Sequence, residues 1–192
     1  WAGYETDTDA RNKAEASELA KLIAAKKAST DSLLKANEEL QKRLDNLRKT
    51  NEESDKYDET TSAKALYDEL YGPEVEVQKT DKDGNPVFDA DGKPVMVKER
   101  NGGLKKALDD ANEELKKAKD ELAELKKNGA TEAEIKDAEE KVAECSTKAT
   151  EAGIEFNSKK GQYSYVKAVE DLQAAIDKNN DTIADNRSYY EV

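Results

Sequence analysis

Leu19, Ile23, Leu33, Leu40, Leu44 and Leu47 fall on alternating steps of three and four once Lys26, Thr30, Asn37 and Asn51 are counted on the same seam. That spacing puts one stripe of side chains along one face of a helix, in the heptad manner. Polar residues on such a seam lower its stability but select register and partner number; a loosely packed helix is the plainer reading. Asp7, Thr8 or Asp9 is a candidate cap, which predicts a helix beginning near Ala10. Between residues 52 and 61 the stripe fades, and the helix is expected to weaken, bend or break there. A shorter piece follows with Leu66 and Leu70 on one face, and Gly72-Pro73 stops it.

The period then changes. Val75 and Val77 alternate with Glu74, Glu76 and Gln78, while Val87-Phe88 and Val95-Met96-Val97 each follow a Gly-x-Pro turn. This predicts a two- or three-stranded antiparallel unit that leans on neighbouring helix ends. Helix returns with Leu104, Leu108, Ala111, Leu115, Ala118, Leu122 and Leu125. Asn128-Gly129 ends that run, and Thr131 with Glu134 makes a capping box for the next. Ile135, Ala138, Val142, Cys145, Ala149, Ala152 and Phe156 then repeat the spacing. Two matched stripes joined by a short turn predict an antiparallel helical hairpin. In the last third Val169, Leu172, Ile176, Ile183 and Tyr190 share a seam with Asn179 and Asn186, one residue out of phase with the run before. Either one helix bends or a loop at residues 157–162 separates two; Gly161 favours the loop.

The fold class that follows is mainly α: an elongated antiparallel helical bundle or coiled coil with a small antiparallel β insert. Its expected parts are a long N-terminal helical segment over residues 1–72, a β-hairpin or meander insert over 73–102, and a helical hairpin plus C-terminal helix over 103–192 that packs with the N-terminal helix.

Composition agrees. Charged residues make up 40% of the 192 and aromatics 6%, too few large apolar groups for a thick core, so narrow seams must carry the fold. A net charge of −12 with no basic stripe disfavours nucleic acid and anionic lipid as partners, and no long apolar run suggests membrane insertion. With Trp1 first and Met96 the only methionine, the chain is expected to be a processed mature protein or an excised piece.

Candidate chemistry is sparse. Asp81-x-Asp83-Gly84 and Asp89-x-Asp91-Gly92 repeat a pattern shared by calcium loops and tight turns. A calcium loop wants a third ligand before the glycine and a Glu at its twelfth position, where these repeats have Gly92 and Arg100. Turn chemistry is therefore the first reading and calcium the second. With no histidine, the usual general base and commonest metal ligand are missing. Cys145, the sole cysteine, lies on a seam as a structural thiol. Neither an enzymatic activity, a cofactor nor a small-molecule substrate is expected. The sequons at Asn180 and Asn186 fall within helix and read as accidental. The aromatics are better placed. Trp1, Tyr4, Tyr67, Tyr71, Phe88, Tyr163, Tyr165, Tyr189 and Tyr190 lie at chain ends, beside the insert or beside the phase slip. Each is either an interface anchor or a plug where a thin bundle runs out of seam.

The stretches ANEELQKRLDNLRKTNEE and LKKALDDANEELKKAKDELAELKKNGATEAEIKDAEEKVAE resemble the helical surface proteins of Gram-positive cocci, the M-like and pneumococcal surface-protein families. The resemblance implies an extracellular or cell-surface, non-enzymatic rod that displays binding surfaces to other proteins. Two functions remain open: protein–protein interaction at a bacterial surface, or a structural subunit of a filament or appendage that self-associates through its helices and aromatic termini.

Overall fold

A computed structural model describes residues 2–54 and 56–191, with side chains from residue 6 onward. The protein is mainly helical with one small antiparallel sheet. The elements are α1 (Ala2–Glu53), α2 (Ala63–Tyr71), β1 (Val75–Gln78), β2 (Met96–Glu99), α3 (Gly103–Lys127) and α4 (Glu132–Arg187). They form two compact units, one of Trp1–Tyr57 with Ala168–Val192, the other Asp58–Lys167.

Two expectations are corrected. α1 starts at Ala2, not near Ala10, so Asp7, Thr8 and Asp9 lie inside the helix. Acidic groups there favour the positive end of the helix dipole, which a cap would otherwise serve. No loop occupies residues 157–162 either: α4 runs through them unbroken. A change of register in a helix only moves the covered face around its axis, so the phase slip costs no hydrogen bond. Gly161 costs about 1 kcal/mol relative to alanine in a helix, too little to break one this long.

In the 58–167 unit, Ser62 caps α2 by accepting from the Ala65 N–H at 3.1 Å. Leu66 and Leu70 on its inner face are fully buried. α3 and the first part of α4 run antiparallel, because Lys126 meets Glu139 at 3.9 Å and Lys141 meets Glu121 at 3.2 Å. Within residues 104–127, every side chain that is not exposed sits on the seam read from the sequence. The turn between the helices closes with the Ala130 N–H on Leu125 O at 3.0 Å, and Thr131 Oγ1 accepts from the Glu134 N–H.

In the unit of residues 1–57 and 168–192, α1 and the end of α4 are also antiparallel, and here the polar seam positions meet one another. Asn37 donates to Asn180 Oδ1 at 3.0 Å and accepts from Asn179 Nδ2 at 2.9 Å. Asn186, only 3% exposed, donates to Ser29 Oγ at 3.0 Å, which leaves its sequon closed to modification in the folded chain. Thr30, also buried, donates to Lys26 O and lies 3.3 Å from the Tyr190 hydroxyl. Leu44, fully buried, and Ile176 and Ile183 supply the apolar layers between. Asn51 ends the helix: its side chain bonds both the N–H and the C=O of Tyr57 at 2.8 Å. These layers match in a single register. Asn37→Leu is expected to raise the melting temperature while losing the unique register, read as extra cross-peaks for the α1 amides in an NMR spectrum.

Candidate interaction site

The insert between Gly72 and Arg100 is built by its turns. β1 and β2 pair antiparallel with Val77 opposite Val97. Beyond them the chain closes two similar loops, pinched by bridges between Thr80 and Pro86 and between Phe88 and Pro94. Asp81 Oδ1 accepts from the N–H groups of Asp83 and Asn85, each at 2.9 Å. Asp89 Oδ1 does the same for Asp91 and Lys93 at 2.9 Å. Gly84 and Gly92 donate to the carbonyls of Asp81 and Asp89 at 3.0 and 3.1 Å. A short polar side chain that satisfies two amides in this way fixes a turn without help from a ligand. The Asp83 and Asp91 side chains face solvent, and among the described residues no three His, Cys, Asp or Glu side chains gather as a metal site.

The eight-residue spacing of the two motifs has a further result. Lys79 N–H bonds Val95 O at 2.7 Å, Val95 N–H bonds Val87 O at 3.0 Å, and Val87 N–H bonds Lys79 O at 2.8 Å. Three chain segments therefore close a ring of backbone hydrogen bonds, with Val77, Val87, Val95 and Val97 half-buried. Residues one step on, at the equivalent places of the second and third segments, are Phe88 and Met96. They are 55% and 49% exposed, with Pro86 and Pro94 exposed nearby. Apolar groups held outward on a closed frame cannot turn inward without opening the ring.

Arg100 anchors this frame to the helices. Its guanidinium donates to the Asp68 carboxylate and, at 2.8 Å, to Gly72 O. It lies 3.6 Å from Glu74 and stacks 4.8 Å from the centre of the Tyr67 ring. The bond to Asp68 holds Arg100 above its ordinary pKa, so it stays charged at any pH the fold survives. Tyr67 in turn packs on Tyr71 at 4.6 Å and Tyr163 at 5.4 Å, and Tyr71 meets Phe156 edge-on at 6.0 Å. Arg100→Met removes the charge and both polar bonds while keeping most of the stem. We expect it to destabilise the base of the insert and to raise amide exchange across β1 and β2 more than in α3.

The aromatic candidates thus divide. Tyr67, Tyr71 and Tyr163 come together in one cluster, and Phe156, read only as a seam residue, joins them. Tyr165 is buried, its hydroxyl donating to Glu59 at 2.9 Å. Tyr189 and Tyr190 lie at the other unit's helix ends, facing Lys26 at 4.5 Å and Lys27 at 5.3 Å. Trp1 and the Tyr4 side chain lie outside the described residues. Phe88 alone of the described candidates stands on the turn frame, where Met96, which sequence reasoning did not single out, joins it. Both occupy the position one step beyond the repeated Gly-x-Pro-Val valine or its equivalent, and that shared place in the eight-residue period was the available signal.

Compared with family models, curated proteins and solved structures, the chain matches none.

Proposed function

We propose that the protein is a non-enzymatic interaction module of a bacterial surface, in which heptad-paired helices of an elongated bundle carry the turn frame and the frame binds another protein. The observation that supports this reading is the outward placement of Phe88 and Met96 on a frame whose Asp81 and Asp89 side chains are already bonded to its own amides. Exposed aromatic and methionine side chains on a preordered support are what a protein interface uses as anchors, because little entropy remains to be lost on binding. The extracellular location rests on the resemblance of the helical stretches to Gram-positive surface proteins. The filament reading draws instead on the helices and the aromatic ends.

The test is binding of the full chain to an array of purified extracellular proteins, beside the double variant Phe88→Ser/Met96→Ser. The expected result is a partner held by the wild type and lost at least tenfold in affinity by the double variant, with unchanged circular dichroism. Partners bound equally by both proteins, or no partner at all, would contradict it.

A further inference from the structure

Among the described residues, one buried side-chain polar atom has no hydrogen-bond partner: Nε2 of Gln78, the last residue of β1. A buried amide N–H without an acceptor costs free energy, so the place wants an acceptor. The residue directly across the ladder from Gln78 is Met96. Residues paired in this way stand on the same face of the sheet, with Cβ atoms about 5 Å apart. The Met96 thioether is only a weak acceptor. It is also the one sulfur that solvent reaches readily. Met96 is the chain's only methionine and is 49% exposed, whereas its only cysteine, Cys145, is buried.

We propose that Met96 is a peroxide-sensitive modification site, and that its sulfoxide is held by Gln78 and switches the binding surface off. The oxidant is hydrogen peroxide. The sulfur lone pair attacks one peroxide oxygen, the O–O bond breaks, and the other oxygen leaves as hydroxide. That hydroxide takes the proton of the transferred oxygen, so sulfur is oxidised by two electrons to the sulfoxide and the peroxide is reduced to water. The new S=O oxygen is a strong acceptor directly across from the Gln78 amide, and it takes the hydrogen bond that this donor lacks. Two effects follow. The pairing of β1 with β2 tightens, because a buried donor is now satisfied. The surface loses an anchor, because an apolar side chain has become polar and is drawn toward Gln78. The frame itself stays closed, since its ring joins the backbones of Lys79, Val87 and Val95. The loss of binding rests on the reading of Phe88 and Met96 as the interaction surface; the tightening of the sheet does not.

The test treats the full chain with dilute hydrogen peroxide and follows it by peptide mass spectrometry, amide exchange and binding to the partner found on the array. One oxygen should be gained at Met96 before any is gained at Cys145. Exchange across β1 and β2 should slow by about threefold or more in the oxidised wild type, and should not slow in oxidised Gln78→Leu, whose side chain has no donor. Affinity for the partner should fall severalfold on oxidation. Oxidation of Cys145 first, exchange that is unchanged or faster, or equal slowing in Gln78→Leu would overturn the proposal. Slower exchange with full affinity, beside a Phe88→Ser/Met96→Ser variant that has lost the partner, would overturn the switch and leave the binding surface standing. Full binding by that double variant would instead mean that the surface is misread, and the switch would fall with it.

Discussion

Gly103→Ala, which adds a single methyl group, is expected to destabilise the 58–167 unit by about 3 kcal/mol. Gly103 has φ of 68°, in the left-handed region. A Cβ there would lie 2.6 Å from Glu69 O, 2.6 Å from Gly72 N and 2.7 Å from Leu70 C. All three are backbone atoms at the end of α2, so none can swing aside as a side chain would. The contact is close because the chain leaves α2 at Gly72, makes the whole insert, and returns to the same place. Gly102 N–H bonds Tyr71 O at 3.0 Å, and a Cβ on Gly72 would come within 2.8 Å of Gly102 Cα. Glycines at both ends of the insert let its base close. Urea titration followed by circular dichroism measures the loss. A loss below about 1 kcal/mol, or the gain of about 0.4–1 kcal/mol that a tolerated Gly-to-Ala change brings, would mean that the backbones are farther apart than described.

Leu70→Ala should cost a further order of the same size, about 2–5 kcal/mol. Leu70 has no exposed surface, and α2 has only nine residues with which to hold its place between the insert and the long helices. The same substitution at Leu115, which is half-buried on the α3 seam, should cost about half as much, because part of its surface already meets water. Equal losses at the two sites in parallel urea titrations would count against the difference in burial.

The unequal legibility of the sequence follows from the same geometry. Along α3 and the start of α4 the seam was readable because a two-helix contact uses one face, and one face has one period. In the middle of α4 the phase slip was readable but its outcome was not. A loop and a shift of covered face leave the same trace in a single sequence, and the helix took the second. The polar seam residues Asn37, Asn179 and Asn186 were visible as weak points. Their pairing with each other and with Ser29 was not, since it depends on how far α4 reaches along α1. In the insert, the doubled Asp-x-Asp-Gly pattern announced turns, while the ring joining Lys79, Val87 and Val95 arises only when both turns close together. Arg100 carried no local signal at all: it is one basic residue among many until Asp68, Gly72 and Tyr67 gather around it.

That insert bears the functional reading, so hydrogen exchange by NMR of its amides in the presence of EDTA is the most direct trial. With the turns closed by Asp81 and Asp89 themselves, the Lys79, Val87 and Val95 amides should be protected at least a hundredfold over an unfolded chain, and added calcium should change nothing. Exchange at the unfolded rate in EDTA, with protection appearing only on addition of calcium, would show that the frame is not self-supporting. Phe88 and Met96 would then lose their fixed support.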